Sequence, residues 1–111
     1  MNWIPLTTET QLQQLIESSA AKLQAIYKHS TRCGISTMAK SRLERGLAPD
    51  NIDFYFLDLL AHRALSRKIE EVFGVQHESP QLLLIKGRVC IYHESHSGIS
   101  MDELVERTAA A

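Results

Sequence analysis

Apolar residues along this chain follow two spacings, one typical of amphipathic helices and one typical of buried strands. The helical stretches repeat an apolar position every three or four residues, and the strands are short runs rich in aliphatic and aromatic side chains. In chain order the predicted elements are helix 8–19, strand 23–29, helix 33–45, strand 52–57, helix 61–73, strand 81–86, strand 89–93 and a helix that begins at residue 100. This α-β-α-β-α-β-β-α order contains two strand–helix–strand crossovers and a hairpin. It predicts an α/β fold with a mixed four-stranded sheet flanked by helices.

Residues at the ends of these segments support the predicted boundaries. Thr8 with Gln11, and Ser100 with Glu103, have the spacing of a capping box at a helix start. Gly87-Arg88 separates the last two strands, and a two-residue loop with glycine first predicts a type II′ turn. The last two strands are therefore expected to pair as an antiparallel hairpin.

The predicted helix 33–45 has its apolar residues on one face and its charges elsewhere. The residues that share this face are Ile35, Met38, Ala39 and Leu43. An amphipathic helix buries such a face, so we expect these side chains to pack on the sheet.

Length and charge exclude several classes of protein. The chain has 111 residues, which is the size of one domain, so residues 1–111 are predicted to form a single domain. Its 12 basic and 13 acidic residues leave a net charge of −1, which provides no electrostatic footprint for nucleic acid. No apolar run approaches the roughly 20 residues that cross a bilayer, and the first residues do not resemble a signal peptide. We therefore expect a cytoplasmic protein with neither nucleic-acid nor membrane partners.

Cys33 has the strongest signal for chemistry in the chain. It lies where the first strand ends and the next helix begins, so unpaired backbone N–H groups and the helix dipole favour negative charge on its sulfur. Arg32 adds a positive neighbour, and Ser36, one helical turn along, can donate its hydroxyl to the sulfur. These features are expected to lower the pKa of the Cys33 thiol, and the thiolate is the nucleophilic form.

The dipeptide Ser79-Pro80 lies immediately before the strand 81–86. Because proline donates no ladder hydrogen bond, its position at the entry to a strand is unusual. In the predicted topology it would lie beside the turn that carries Cys33. We predict a cis Ser79–Pro80 peptide bond, which would leave the Ser79 backbone free to pair with an extended substrate segment.

The second cysteine, Cys90, is predicted to be structural. With Gly87-Arg88 as the turn, Cys90 pairs with Ile85, about 16 Å along the strand from the edge at Pro80. A disulfide needs Cα atoms about 4.4–6.8 Å apart, so Cys90 is not expected to resolve a disulfide of Cys33. A zinc site could be drawn from His29, Cys33, Cys90 and His93, but Cys90 and His93 face opposite sides of one strand and no Cys-x-x-Cys or His-x-x-x-His pair anchors it, so no metal site is expected.

Two short motifs resemble those of a known superfamily. Cys33-Gly34-Ile35-Ser36 after the first strand, with Ser79-Pro80 before the hairpin, resembles the thioredoxin superfamily, and the resemblance covers nearly the whole chain. More narrowly, the stretches 28–36 (KHSTRCGIS) and 78–81 (ESPQ) are similar to those of the monothiol bacilliredoxin-like proteins of the bacillithiol system. The resemblance implies a thioredoxin-like fold and a set of site residues: Cys33, Ser36 and Arg32 as catalytic, and Thr31, Gly34, Ser79 and Pro80 as substrate-binding.

At the fourth position of the motif, Ser36 stands where dithiol thioredoxins have a resolving cysteine. Without that second thiol, Cys33 cannot readily close an internal disulfide. We expect a monothiol cycle in which Cys33 attacks the small-thiol sulfur of a mixed disulfide and releases the protein client, after which an external thiol resolves the adduct. The resemblance implies that the small thiol is bacillithiol, a co-substrate rather than a tightly bound cofactor, and that the clients are S-thiolated proteins.

Two other functions stay open on the sequence. Cys33-Gly34-Ile35-Ser36 differs at one residue from the Cys-Gly-Phe-Ser motif of monothiol glutaredoxins, which share a [2Fe–2S] cluster between two subunits. The Gly-Gly-x-Asp glutathione-binding segment of those proteins is replaced here by residues 95–100, which disfavours an iron–sulfur carrier. The other alternative is a non-catalytic thioredoxin-like adaptor in which Cys33 is vestigial.

Overall fold

Five strands and four α-helices form the part of the chain that the structure describes, residues 1–30 and 34–110 of a computed structural model. In chain order they are β1 (Trp3–Pro5), α1 (Glu9–Ser18), β2 (Leu23–His29), α2 (Gly34–Arg45), β3 (Ile52–Asp58), α3 (Arg63–Phe73), β4 (Gln81–Lys86), β5 (Val89–Ser95) and α4 (Met101–Ala110), with a short 3₁₀ turn at His96–Gly98. None of the helices within these ranges is long and apolar enough to span a bilayer.

The strands form one mixed sheet in the order β1-β3-β2-β4-β5. Strand β2 is parallel to β3 and antiparallel to β4, and β5 completes the hairpin with β4. The predicted α/β fold class is confirmed, whereas the predicted number of four strands is wrong. The additional strand, β1, pairs in parallel with β3 at the sheet edge. Three residues that include Pro5 carry no recognisable period, and proline is tolerated at such an edge because it donates no ladder hydrogen bond.

Two apolar cores lie on opposite faces of the sheet. Helices α1 and α3 cover one face, and α2 and α4 cover the other. Side chains of β2 alternate between them, so that Ile26 packs in the first core while Ala25 and Tyr27 pack in the second. Because both of its faces are covered, β2 is buried from Gln24 to His29, including its polar residues.

The two predicted capping boxes differ in completeness. At α1 both bonds are present: Gln11 N donates to Thr8 Oγ1 (3.1 Å), and Thr8 N donates to Gln11 Oε1 (3.2 Å). At α4 Glu103 N donates to Ser100 Oγ (3.2 Å), but the Glu103 carboxylate accepts from Arg107 Nε (3.0 Å) instead of returning to the cap. The second box is therefore half formed because an arginine one turn along competes for its carboxylate.

The hairpin turn is of type I′, so the predicted type II′ turn is wrong. Gly87 and Arg88 both have positive φ angles, of 57° and 70°, and only the type I′ turn needs positive φ at both central positions. Ser19 at the end of α1 supports this conformation: Gly87 N donates to Ser19 O (2.9 Å) and Arg88 N donates to Ser19 Oγ (2.8 Å). The turn type thus depends on a contact with a residue far away in the sequence.

Helix α2 buries only part of its predicted apolar face. Ile35 and Met38 are 58% and 64% exposed, whereas Ser36, Ala39 and Leu43 are completely buried. The buried set also has helical spacing, with a serine in place of an apolar residue at its first position. The predicted burial of Ile35 and Met38 is therefore wrong, because hydrogen bonds hold the Ser36 side chain against the end of β2.

We expect Leu43→Ala to reduce the free energy of unfolding by about 2–5 kcal/mol, because Leu43 is fully buried and its truncation leaves a cavity in the core under α2. Leu47→Ala is the matched control: Leu47 is 93% exposed, and we expect a change within about 0.5 kcal/mol. Urea unfolding of both variants measures the difference. Equal losses would contradict this assignment of the core.

Candidate functional site

The carboxyl ends of β2 and β3 and the start of β4 lie at one edge of the sheet. His29 ends β2, and its carbonyl oxygen accepts a hydrogen bond from Leu59 N (3.0 Å), just beyond β3. Lys28 is paired with Gln81, so the Ser79–Pro80 segment lies beside the end of β2. Helix α2 starts five residues after His29. The fold therefore brings the start of α2, at Gly34, and the proline segment to the same edge of the sheet, as the topology predicts.

The structure describes four of the seven predicted site residues: Gly34, Ser36, Ser79 and Pro80. Thr31, Arg32 and Cys33 lie outside the described residues, so their predicted roles stay predictions. Gly34 is the exposed first residue of α2, and a Cβ built on it would meet no atom within 4 Å in the described part of the chain, its neighbours along the chain apart. The backbone beside Cys33 is thus open to an approaching molecule.

Ser36 is held in the interior by hydrogen bonds at both its side chain and its backbone. Its Oγ accepts from Ser30 N (3.1 Å) and lies 2.7 Å from His29 Nδ1. Its carbonyl oxygen accepts from the Tyr27 hydroxyl (2.6 Å). Because Ser30 N–H already donates to Oγ, the hydroxyl proton is available to His29 Nδ1. Its predicted hydrogen bond to the sulfur of Cys33 stays a prediction.

His29 contributes to the site through a hydrogen bond that the sequence does not predict, since the sequence suggests it only as a candidate zinc ligand. Only 6% of its surface is exposed, and the centroids of its ring and of the Phe56 ring are 5.2 Å apart. Burial lowers the pKa of His29, and the nearby Lys40 ammonium lowers it further against the opposing effect of Asp58. A neutral imidazole fits the 2.7 Å contact in either tautomer, because Nδ1 can accept the Ser36 hydroxyl proton or donate its own to Oγ. The available signal was a histidine four residues before Cys33, at the end of a strand with both faces covered.

The Ser79–Pro80 peptide bond is cis, as predicted from the sequence. Pro80 is buried, and its carbonyl oxygen accepts from His96 N (3.1 Å). The Ser79 Oγ is also buried, and among the described residues it has no hydrogen-bond partner. A buried hydroxyl without a partner is uncommon in folded proteins and is a group that a bound substrate could satisfy.

Cys90 has the register predicted for it, opposite Ile85 on β4. Its Sγ donates to Tyr92 O (3.3 Å), and burial raises the pKa of the Cys90 thiol. A raised pKa keeps the sulfur protonated at neutral pH and therefore a poor nucleophile.

The histidine at the end of β2 gives a testable pH dependence. We expect NMR titration of the His29 ring to give a midpoint below the reference value of about 6.5. In Lys40→Met the midpoint should rise towards that value, because the neighbouring positive charge is lost. Lys86→Met, which removes a charge at the far end of β4, is the control. Since the folded state binds the His29 proton less tightly than the unfolded state, His29 also lowers stability as the pH falls below about 6.5.

An unchanged His29 midpoint in Lys40→Met, or a wild-type midpoint above about 6.5, would contradict this account of the buried imidazole.

Comparison with solved structures identifies the fold. A candidate oxidoreductase with a thioredoxin fold superposes with a TM-score of 0.85 at 29% identity, covering 96% of this chain and 93% of its own. The thioredoxin of Malassezia sympodialis (Mala s 13) has a TM-score of 0.73 at 18% identity, covering 98% and 90% of the two chains. The thioredoxin of Fasciola hepatica has a TM-score of 0.72 at 19% identity, covering 96% of both. The last two similarities concern the fold alone.

A family model extends this similarity to a narrower group. The model that describes the monothiol bacilliredoxin BrxC matches residues 4–104, which is nearly the whole chain. The matched range includes the motif 33–36, the proline segment and all five strands except the first residue of β1. With its thioredoxin fold and with Ser36 at the fourth position of the motif, this chain is a monothiol redox protein that belongs to the monothiol bacilliredoxin (BrxC) family.

Proposed function

We propose that this protein removes bacillithiol from mixed disulfides on client proteins, with Cys33 as the nucleophile. The Cys33 thiolate attacks the bacillithiol sulfur, the existing S–S bond breaks, and the client leaves as a thiolate that takes up a proton. A new disulfide joins Cys33 to bacillithiol. A second small thiol then attacks this adduct and restores the Cys33 thiolate, so each step exchanges one disulfide for another.

The observation that carries the proposal is the state of Ser36. Its hydroxyl lies in the interior at the position that dithiol relatives give to a second cysteine, and it is bonded to Ser30 and His29. A hydroxyl cannot form a disulfide. After the first exchange the adduct on Cys33 therefore has no neighbouring thiol at this position, and resolution depends on a thiol from outside.

The start of α2 supports thiolate chemistry at Cys33. Gly34 opens a helix of 12 residues, and the first N–H groups of a helix have no intrahelical acceptor. Their partial positive charge, with the guanidinium of Arg32 next in sequence, would stabilise the thiolate. A reducing compartment keeps such a thiol free, so we propose the cytoplasm as the setting of the reaction.

Substrate contacts are proposed at the start of α2 and at the proline segment. The open space at Gly34 leaves room for a client, and the exposed side chains of Ile35 and Met38 offer it an apolar contact. At the proline segment, the Ser79 Oγ, which has no partner among the described residues, offers a hydrogen bond to the bound disulfide segment. Thr31 completes the proposed substrate-binding set.

We expect wild-type protein incubated with a bacillithiol-modified client to gain a bacillithiol-sized adduct, seen by intact-protein mass spectrometry. Cys33→Ala should gain none, because the proposed nucleophile is absent. Cys90→Ala is the matched control and should behave as wild type, since the Cys90 thiol has a raised pKa. No adduct on the wild type, or an adduct on Cys33→Ala, would overturn the proposal.

We expect Ser36→Cys to convert the monothiol site into a dithiol one. The bacillithiol adduct should become transient, because the introduced thiol closes a disulfide with Cys33, as Cys-x-x-Cys motifs at helix starts do. The final protein mass should be two hydrogens below that of the reduced variant. Ser36→Ala separates this effect from loss of the hydrogen bonds, and its adduct should persist. Ser41→Cys places a thiol further along α2 as a control, and its adduct should persist as well. A lasting adduct on Ser36→Cys would contradict this role of Ser36.

A further inference from the structure

A cavity of about 250 Å³ opens on the sheet face that α3 covers, opposite the face that carries α2. We call it the α3 cavity. Its lining comes from the end of β3, from α3 and from the loop that leads to Pro80. The lining residues are Leu59, Arg63, Ser66, Arg67, Glu70 and His77. Two of them, Ser66 and His77, also contact a buried cation behind the wall.

That cation is Lys28, a completely buried residue of β2. Its Nζ donates to Ser66 O (3.2 Å) and lies 3.3 Å from His77 Nδ1. Burial lowers the pKa of Lys28 to about 8, with Glu70 acting in the opposite direction. At neutral pH the ammonium therefore remains largely charged. Because Lys28 contacts Ser66 and His77 in the cavity wall, its charge contributes to the electrostatic potential in the cavity.

The charges around the α3 cavity do not balance. Arg63 and Arg67 are exposed on α3, and neither forms an ion pair with any residue in the described ranges. The lining contains one carboxylate, Glu70, and one of its oxygens already accepts the backbone N–H of His77. The buried Lys28 behind the wall is a third cation, and Glu78, which acts on His77, is a second acidic group near the cavity. A concave site with this excess of positive charge and two guanidinium groups outside any such ion pair suits a carboxylate ligand.

The position of the cavity connects it to the thiol site. Leu59 in its lining donates its N–H to the carbonyl of His29, four residues before Cys33. His77 in its lining is two residues before Ser79, which the cis bond joins to Pro80. The α3 cavity therefore adjoins the end of β2 and the segment that leads to Pro80, on the far side of the sheet from α2.

We propose that the α3 cavity binds a carboxylate of the small thiol that Cys33 carries, through Arg63 and Arg67, and so selects anionic small thiols over neutral ones. This inference rests on the proposed transfer of a small thiol to Cys33. It assigns the recognition of that thiol to α3 and Lys28, outside the motif 33–36. Glu70 and Glu78 oppose the binding of an anion, so the two guanidinium groups are the determinants.

The inference is tested with a matched pair of probes. The amides of cysteinyl-aspartate and cysteinyl-asparagine are each joined by a disulfide to the same fluorescent reporter, and their exchange with the protein is followed. They differ by one carboxylate. We expect wild type to prefer the aspartate probe about tenfold in kcat/KM, through KM. The double variant Arg63→Gln/Arg67→Gln should lose the preference and keep its rate with the asparagine probe, while Arg45→Gln, a charge loss at the end of α2, should keep both.

A binding measurement separates this inference from the proposed function. Cys33→Ser, which cannot exchange disulfides, is titrated with succinate and followed by NMR at the side chains of Arg63, Arg67 and Lys28. We expect saturable shifts that are absent from the double variant. Equal rates with both probes, a preference that survives in the double variant, or no shifts with succinate would overturn the cavity assignment. Succinate binding without exchange of either probe would instead overturn the proposed reaction and leave a carboxylate site.

Discussion

Strand β2 is the element on which both the core and the site depend, because it pairs on both edges and is covered on both faces. It is parallel to β3 and antiparallel to β4, and its side chains alternate between the two cores. A strand in this position has no solvent-facing side, so its polar side chains need partners inside the protein. Gln24 meets this need in part: its Nε2 donates to Asp53 and to two backbone carbonyls, while its Oε1 has no partner among the described residues. The two polar residues at its end, Lys28 and His29, meet this requirement on opposite faces of the sheet.

Each of these residues ties a different segment to the edge that carries the motif. On one face His29 binds the hydroxyl of Ser36 and so fixes the first turn of α2. On the other, Lys28 contacts Ser66 and His77 and so joins α3 to the loop before Pro80. Buried polar groups are costly when unpaired and stabilising when their partners are complete. One pair of adjacent residues thus sets the geometry of both sides of the site.

The monothiol character of the family has a physical counterpart in this arrangement. Ser36 is an integral part of the interior, with its hydroxyl bonded to Ser30 and His29 and its carbonyl bonded to Tyr27. The same side chain turns α2 so that Ile35 and Met38 point outwards. Ser36 has no redox chemistry of its own, so it leaves no thiol at this position to resolve an adduct on Cys33. It also exposes an apolar surface at the start of α2, next in sequence to the proposed nucleophile.

By itself, the sequence determined the fold class, the order of all but one strand or α-helix and the edge of the sheet at which the start of α2 and Pro80 lie, because periodicity, caps and crossover rules act over short stretches of chain. Tertiary structure alone decided the rest. Strand β1 exists only by pairing with β3, the positive φ of Arg88 depends on contacts with Ser19, and the buried face of α2 depends on what Ser36 binds. The roles of Lys28 and His29 belong to this second group, since their partners are distant in sequence or come together only when the sheet and helices pack.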